Sequence, residues 1–192
     1  MLTRDYLLAR ARITPERTAY VDGDRRFTWG ETVDRAMRLA RVLRQRGIGK
    51  GDVVASLSLD GIEAVDLWNA SAILGSIRTG INWRYAAREI QHILHDADVQ
   101  LLLVENGAPA AALAGVDPSE LPDVITFGER TDEYESLLAG SAPLPPDEWE
   151  PLSPDDTIAI SYTTGSTGLP KGALWSHGAV VSAQIHTWLE AG

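Results

Sequence analysis

Apolar positions along the chain recur with two periods, and the alternation between the periods predicts the elements. Helical spacing across Leu2–Ile13, with Tyr6, Leu7, Leu8 and Ala11 apolar, predicts a short helix that stops at Thr14-Pro15. Ala19–Val21 and Arg26–Thr28 flank Asp22-Gly23-Asp24, the pattern of a small hairpin with a glycine turn. Thr28 and Glu31 have the spacing of a capping box and open a helix that runs to about Arg46. Val33, Met37, Ala40 and Leu43 form its apolar face, and Gly47 and Gly49 stop it.

From Val53 onward the period switches repeatedly. Val53–Leu59 is a short apolar run bounded by Gly-Asp and Asp-Gly, which reads as a buried strand. Ile62–Leu74 reads as a helix, Ser76–Ile81 as a strand, Ala87–Asp96 as a helix and Val99–Val104 as a third strand. Weaker helices at Ala108–Ala114 and Tyr134–Ala139 bracket a strand at Val124–Phe127. This alternation predicts an α/β fold: a mostly parallel sheet with right-handed crossovers, flanked by helices. Five of the ten prolines then fall between Pro143 and Pro154, among Asp147, Glu148 and Glu150, which predicts an exposed acidic connector. The chain therefore divides into an α/β region over 1–142, a Pro-rich acidic connector over 143–156, and a final unit over 157–192. That unit starts with a strand at Thr157–Tyr162 and ends with a helix from His177 to about Glu190, capped by Ser176.

Composition adds exclusions. The chain has 192 residues, 44% hydrophobic and 23% charged, as expected of an ordinary globular domain. A net charge of −10 argues against nucleic acid and anionic membranes as partners, because both reward a basic face. It does not argue against a nucleotide, since phosphate recognition is local. With no cysteine, disulfides, thiolate catalysis and thiolate metal sites are excluded. The early charges Arg4 and Asp5, with no long apolar run behind them, exclude a signal peptide, and no segment has the length and apolarity of a membrane span. A cytoplasmic location is expected.

The segment with chemistry is Tyr162-Thr163-Thr164-Gly165-Ser166-Thr167-Gly168-Leu169-Pro170-Lys171-Gly172-Ala173, read as a loop between the last strand and the last helix. Its glycines let successive N–H groups converge on one centre and let phosphate oxygens come close. The hydroxyls of Thr163, Thr164, Ser166 and Thr167 add donors, and Lys171 adds a full positive charge. It is not a Walker loop, which has Gly before the Lys and Ser or Thr after it; here those places hold Pro170 and Gly172. A plain Gly/Ser/Thr linker shares the composition, but linkers rarely sit between an apolar strand and a capped helix with Pro-Lys-Gly at the end.

This segment closely resembles the signature of the acyl-adenylate-forming superfamily, which includes acyl-CoA synthetases, aryl-CoA ligases, luciferases and peptide-synthetase adenylation domains. Every position of the usual pattern is met. Phe27-Thr28-Trp29-Gly30-Glu31, Arg46–Val53, Leu74–Ile77 with Asn82, and Glu89-Ile90 with Ile93-Leu94 resemble further family segments, and Trp175-Ser176-His177 resembles the fatty-acyl branch. Trp83 stands where many relatives have Pro.

The resemblance implies the N-terminal part of an ATP-dependent acyl-CoA synthetase. In that chemistry a carboxylate attacks the α-phosphate of ATP, pyrophosphate leaves, and coenzyme A captures the acyl-adenylate. It also implies that Thr163, Thr164, Gly165, Ser166, Thr167, Gly168 and Lys171 hold the β- and γ-phosphates, with Thr164 as the residue facing Mg²⁺. The family's catalytic lysine, ribose-binding aspartate and acidic metal ligand follow this loop in relatives, so no catalytic residue is assigned here, and the isolated chain is not expected to complete adenylation. The implied partners are a small-molecule carboxylic acid, ATP and CoA. A cut sheet also exposes apolar surface and an unpaired edge, which predicts self-association.

Two rival readings remain open: an adenylation module that loads a carrier protein, and a noncatalytic nucleotide-binding or interaction fragment. Other constellations have blander expectations. His92 and His95, near Asp96 and Asp98, read as solvated helix-end residues rather than metal ligands. His177 reads as a cap or packing residue, and Trp29, Trp68, Trp83 and Trp188 as fillers of core or intersubdomain space.

Overall fold

The computed structural model describes residues 1–128, 133–163 and 168–191, with residues 188, 189 and 191 described by backbone alone. Helix α1 (Thr3–Ile13) leads to an antiparallel hairpin of β1 (Thr18–Asp22) and β2 (Arg25–Thr28), then to helix α2 (Trp29–Gln45). The capping box is formed: the Thr28 hydroxyl accepts from the Glu31 amide at 3.2 Å, and the Glu31 carboxylate accepts from the Thr28 amide at 2.8 Å.

Strand β3 (Val53–Leu57), helix α3 (Ile62–Leu74), strand β4 (Ile77–Ile81), helix α4 (Ala87–Asp96) and strand β5 (Val99–Glu105) follow in order. A short helix α5 (Ala108–Ala111), strand β6 (Asp123–Phe127) and helix α6 (Glu133–Ala139) precede β7 (Thr157–Thr163), β8 (Lys171–Ser176) and helix α7 (His177–Ala191). Six strands form one sheet in the order β6-β5-β3-β4-β7-β8. Every pairing is parallel except the last, β7 with β8. The expected α/β fold with a mostly parallel sheet flanked by helices is therefore present.

All five residues of β3 are buried, so its alternating side chains serve both faces. Val54 joins Leu101, Leu103, Ile125 and Phe127 beneath α2, α3 and α6. Val53, Ala55 and Leu57 join Ile81, Leu102 and Val104 beneath α4. A register shift inserts one residue into β5 between Val99 and Leu101. Exposed Gln100 is the extra residue, and it lets Val99 share a face with Leu102 despite the opposite parity. Strand β3 stops two residues short of the apolar run. The chain turns at Ser58, and the Leu59 amide donates to the Glu105 carboxylate at 2.6 Å.

The acidic connector is held more closely than its composition predicts. Leu144 is fully buried in the core under α2, and its amide donates to the Met37 carbonyl at 3.0 Å. Arg41 clasps the Glu148 carboxylate with bonds of 2.9 and 3.0 Å, and Arg4 lies over the Trp149 ring at 5.5 Å. Acidic and proline residues mark a solvated linker only when no basic face lies beside them. Here α2 presents Arg41 and Arg44 to Glu148 in the connector, and Arg38 holds the Ser141 carbonyl just before it.

Between α2, α3 and α6, Asp66 is wholly buried. Its Oδ2 accepts from Arg35 Nε at 2.9 Å and from the Tyr134 hydroxyl at 3.0 Å, while its Oδ1 has no partner. Burial pushes this carboxyl up to about 6 against the pull of Arg35. A raised folded-state pKa stabilises the fold most below the ordinary value of 3.8, and that contribution is lost as pH rises through about 6. Urea denaturation of the wild type and Asp66→Asn should therefore diverge. The wild type should lose up to about 3 kcal/mol relative to the variant between pH 3.5 and 6.5. Parallel stability profiles would refute the assignment.

Candidate functional site

Strand β7 leaves the sheet next to β4, where the Thr79 hydroxyl donates to the Ile160 carbonyl at 3.0 Å. The chain then returns at once as β8, antiparallel to β7, with Thr163 opposite Lys171. The segment read as a loop up to Ala173 thus has a different form. Residues 171–173 are strand, and the turn they close is the tip of a β-hairpin. Extended Lys171–Ser176 was not legible from pattern, since Gly172 and Ala173 carry little strand propensity and the strand is fixed by pairing with β7. The Ser176 cap is present, its Oγ accepting from the Ala179 amide at 3.2 Å.

Of the expected phosphate-contacting residues, Thr163, Gly168 and Lys171 are described, and all three are exposed. Thr164, Gly165, Ser166 and Thr167 lie outside the described residues. Cross-strand pairing puts the Thr163 and Lys171 side chains on one face of the hairpin, at the base of the turn. Lys171 forms no ion pair with any described residue, so its charge is available to an anion.

Helix α4 holds the hairpin on both sides of the turn. On β7, the Tyr162 hydroxyl donates to Asp96 Oδ2 at 2.6 Å. Partial burial, and then the Asp96 carboxylate, raise the pKa of that phenol, so it stays a donor throughout the working pH range. Past the turn, His92 Nε2 meets the Pro170 carbonyl at 2.9 Å. A carbonyl only accepts, so this nitrogen carries the proton. His92 and Asp96 are four apart and project from one helix face. Between them and Gly168–Gly172 lies a cleft of about 460 Å³. His92 was expected to be a solvated helix-end residue, but it supports the loop. The i, i+4 spacing was readable in the sequence, and the partner 78 residues away was not.

Other residues have structural surroundings. His95 is exposed and pairs with Glu120. His177 is fully buried, with Nδ1 2.7 Å from the Thr3 hydroxyl, and burial lowers its pKa. It packs α7 onto α1 and lies away from the hairpin turn. Trp29 packs edge-on against Tyr6, Trp68 fills space beside Ile158, and Trp83 lies beneath Arg84. The Trp188 side chain lies outside the described residues.

A mostly parallel sheet with these helices is also the fold of solved acyl-CoA synthetase structures. Residues 7–191 match the family described as AMP-binding enzyme, and the chain belongs to that family. It is 36% identical over 176 residues to a 3-oxocholest-4-en-26-oate–CoA ligase of Rhodococcus rhodochrous, covering 86% of this chain and 31% of that protein. It is also 36% identical over 185 residues to the long-chain-fatty-acid–CoA ligase FadD13 of Mycobacterium tuberculosis, covering 92% of this chain and 35% of that one. The solved structure of a Mycobacterium tuberculosis fatty acyl CoA synthetase superposes with a TM-score of 0.79 at 31% identity, over 92% of this chain and 34% of the other. The chain thus spans about a third of the length of these relatives.

One glycine in the hairpin tests the packing. A Cβ at Gly172 would lie 2.8 Å from Ile160 Cγ2 and 3.1 Å from the Tyr162 ring. The bare backbone there lets the ring lie across β8 and reach Asp96. Gly172→Ala should cost about 1–3 kcal/mol in urea denaturation. Gly168→Ala, with nothing within 4 Å of the added carbon, should change stability by less than about 0.5 kcal/mol. Equal effects would contradict the packing role.

Proposed function

We propose that the chain supplies the ATP-phosphate-binding portion of an AMP-forming acid–thiol ligase. The ligase activates a fatty or related carboxylic acid and passes it to coenzyme A. The observation that carries this reading is the hairpin: exposed Lys171, with no ion pair among the described residues, stands across from Thr163, and α4 fixes the frame on both sides. The names of the two CoA-ligase relatives support the acyl class and the acceptor.

In the first step an acid carboxylate oxygen bonds to the α-phosphorus of ATP, and the bond to the pyrophosphate oxygen breaks. In the second, the thiol sulfur of CoA bonds to the acyl carbon, and AMP leaves with its phosphate oxygen. Negative charge grows on the departing pyrophosphate in the first step. Fixed donors already aimed at that charge lower the barrier without reorganising. Thr163, Thr164, Ser166 and Thr167 supply hydroxyls, Gly165 and Gly168 allow close approach of the backbone, and Lys171 supplies full charge. A loop that offers hydroxyls rather than carboxylates suits Mg²⁺, which keeps most of its shell as water and phosphate oxygen. Bound with ATP, the ion would add charge neutralisation at the phosphates, with Thr164 the residue assigned to face it. No helix among the described residues is long and apolar enough to cross a membrane. A cytoplasmic location, where ATP and CoA are both available, is part of the proposal.

The test is Lys171→Ala in the whole ligase, assayed by acid-dependent ATP–pyrophosphate exchange. The variant should lose about 10²–10³ in kcat/KM for ATP. Unchanged exchange would remove Lys171 from the site. Acyl transfer to a carrier protein in preference to CoA would replace the acceptor and leave the activation step standing.

A further inference from the structure

Strands β3 and β4 run parallel and in register, with Val54 opposite Arg78 and Ser56 opposite Gly80. The two-residue period therefore places Ser56 and Ser58 on the same face as Arg78, Gly80 and Asn82. Val54 on that face is in the apolar core, so the face changes from apolar to polar toward the carboxyl ends of the strands. In open α/β sheets, ligands bind outside those ends.

Arg78 is largely buried, and its Nε is wholly buried without a hydrogen-bond partner. No described residue forms an ion pair or a hydrogen bond with its guanidinium. The group lies against Gly80, where a Cβ would meet Nη2 at 3.2 Å and Nη1 at 3.8 Å. Burial lowers the pKa of Arg78, and Asp60 is the charge that opposes the shift. Arginine does not discharge at working pH, so a poorly compensated buried guanidinium attracts an anion strongly. The contrast is Arg35, also in this fold, whose guanidinium is matched by Asp66 and Glu135.

Arg78 opens onto a polar cavity of about 360 Å³ that also meets Ser56, Ser58, Asp60, Asn82 and Arg84. The Asn82 Oδ1 already accepts from the Arg84 amide at 3.0 Å, which leaves its NH₂ as a donor. Arg84 contributes a second positive charge, and the serines contribute hydroxyls. Asp60 is exposed at the rim and weakens the field without neutralising it. We propose that this cavity binds a small oxyanion, a carboxylate or a phosphate group, with the Arg78 guanidinium as its bidentate partner. The site shares no residue with the cleft beside α4 and does not depend on the ligase reading.

The experiment is calorimetric titration of the chain with inorganic phosphate and, separately, with acetate, on wild type, Arg78→Met and Lys171→Ala. Arg78→Met keeps the length and apolar stem of the side chain and removes its charge. Wild type should bind at least one anion saturably, Arg78→Met should bind it at least tenfold more weakly, and Lys171→Ala should retain it. Preference for phosphate or for acetate identifies which oxyanion the site takes, and either supports it. The ligand-free melting temperature of Arg78→Met should equal or exceed that of wild type, because an uncompensated buried charge has been removed. A melting temperature well below wild type would show that the fold itself satisfies Arg78, and the proposal would fall. It would also fall if neither anion bound, or if binding were lost in Lys171→Ala and kept in Arg78→Met. That last result would assign the anion to the hairpin turn and leave the proposed function intact.

Discussion

Burial of β3 on both faces is the constraint around which the molecule is arranged. Its backbone groups have no water to bond, so β4 and β5 must flank it on either side. Its side chains alternate between two apolar surfaces, so each surface must be covered by helix. Helices α2, α3 and α6 cover one, and α4 covers the other. The crossovers between parallel strands supply those helices, which is why α4 lies where it can reach β7 and β8.

That reach links the core to the chemistry. Ile90, Ile93 and Leu94 bury one side of α4. His92 and Asp96 use another side to hold the hairpin, at Pro170 and at Tyr162. The phosphate binding proposed for this hairpin requires donors that are fixed before the substrate arrives. Here the fixing comes from a helix that is itself locked by the sheet. Lys171 forms no ion pair with a described residue, which leaves its charge available to the anion proposed above, while Asp96 on α4 accepts from the Tyr162 hydroxyl.

The charged side chains that face other elements divide into two kinds. Arg35 with Asp66 and Tyr134 ties α2, α3 and α6 together. Arg41 with Glu148 ties the proline-rich connector to α2. These pairs are closed and structural. Arg78 has no such partner among the described residues, and its side chain opens toward the polar end of the sheet.

Much was readable from sequence alone, because local physics determined it. The Thr28–Glu31 box, the apolar runs of β3 and β5, and the spacing of α3 and α4 each report a period or a cap set by near neighbours. The Tyr162–Ala173 segment likewise showed its glycines, hydroxyls and lysine as a local string, enough to mark the family. Tertiary structure decided what depends on residues distant in the chain: that residues 171–176 pair as a strand, that His92 and Asp96 brace the hairpin, that the acidic connector meets Arg41 and Arg44 of α2, and that Arg78 has no partner among the described residues. A period or a motif constrains a few adjacent residues, whereas pairing, bracing and charge compensation exist only after the sheet brings separate elements together.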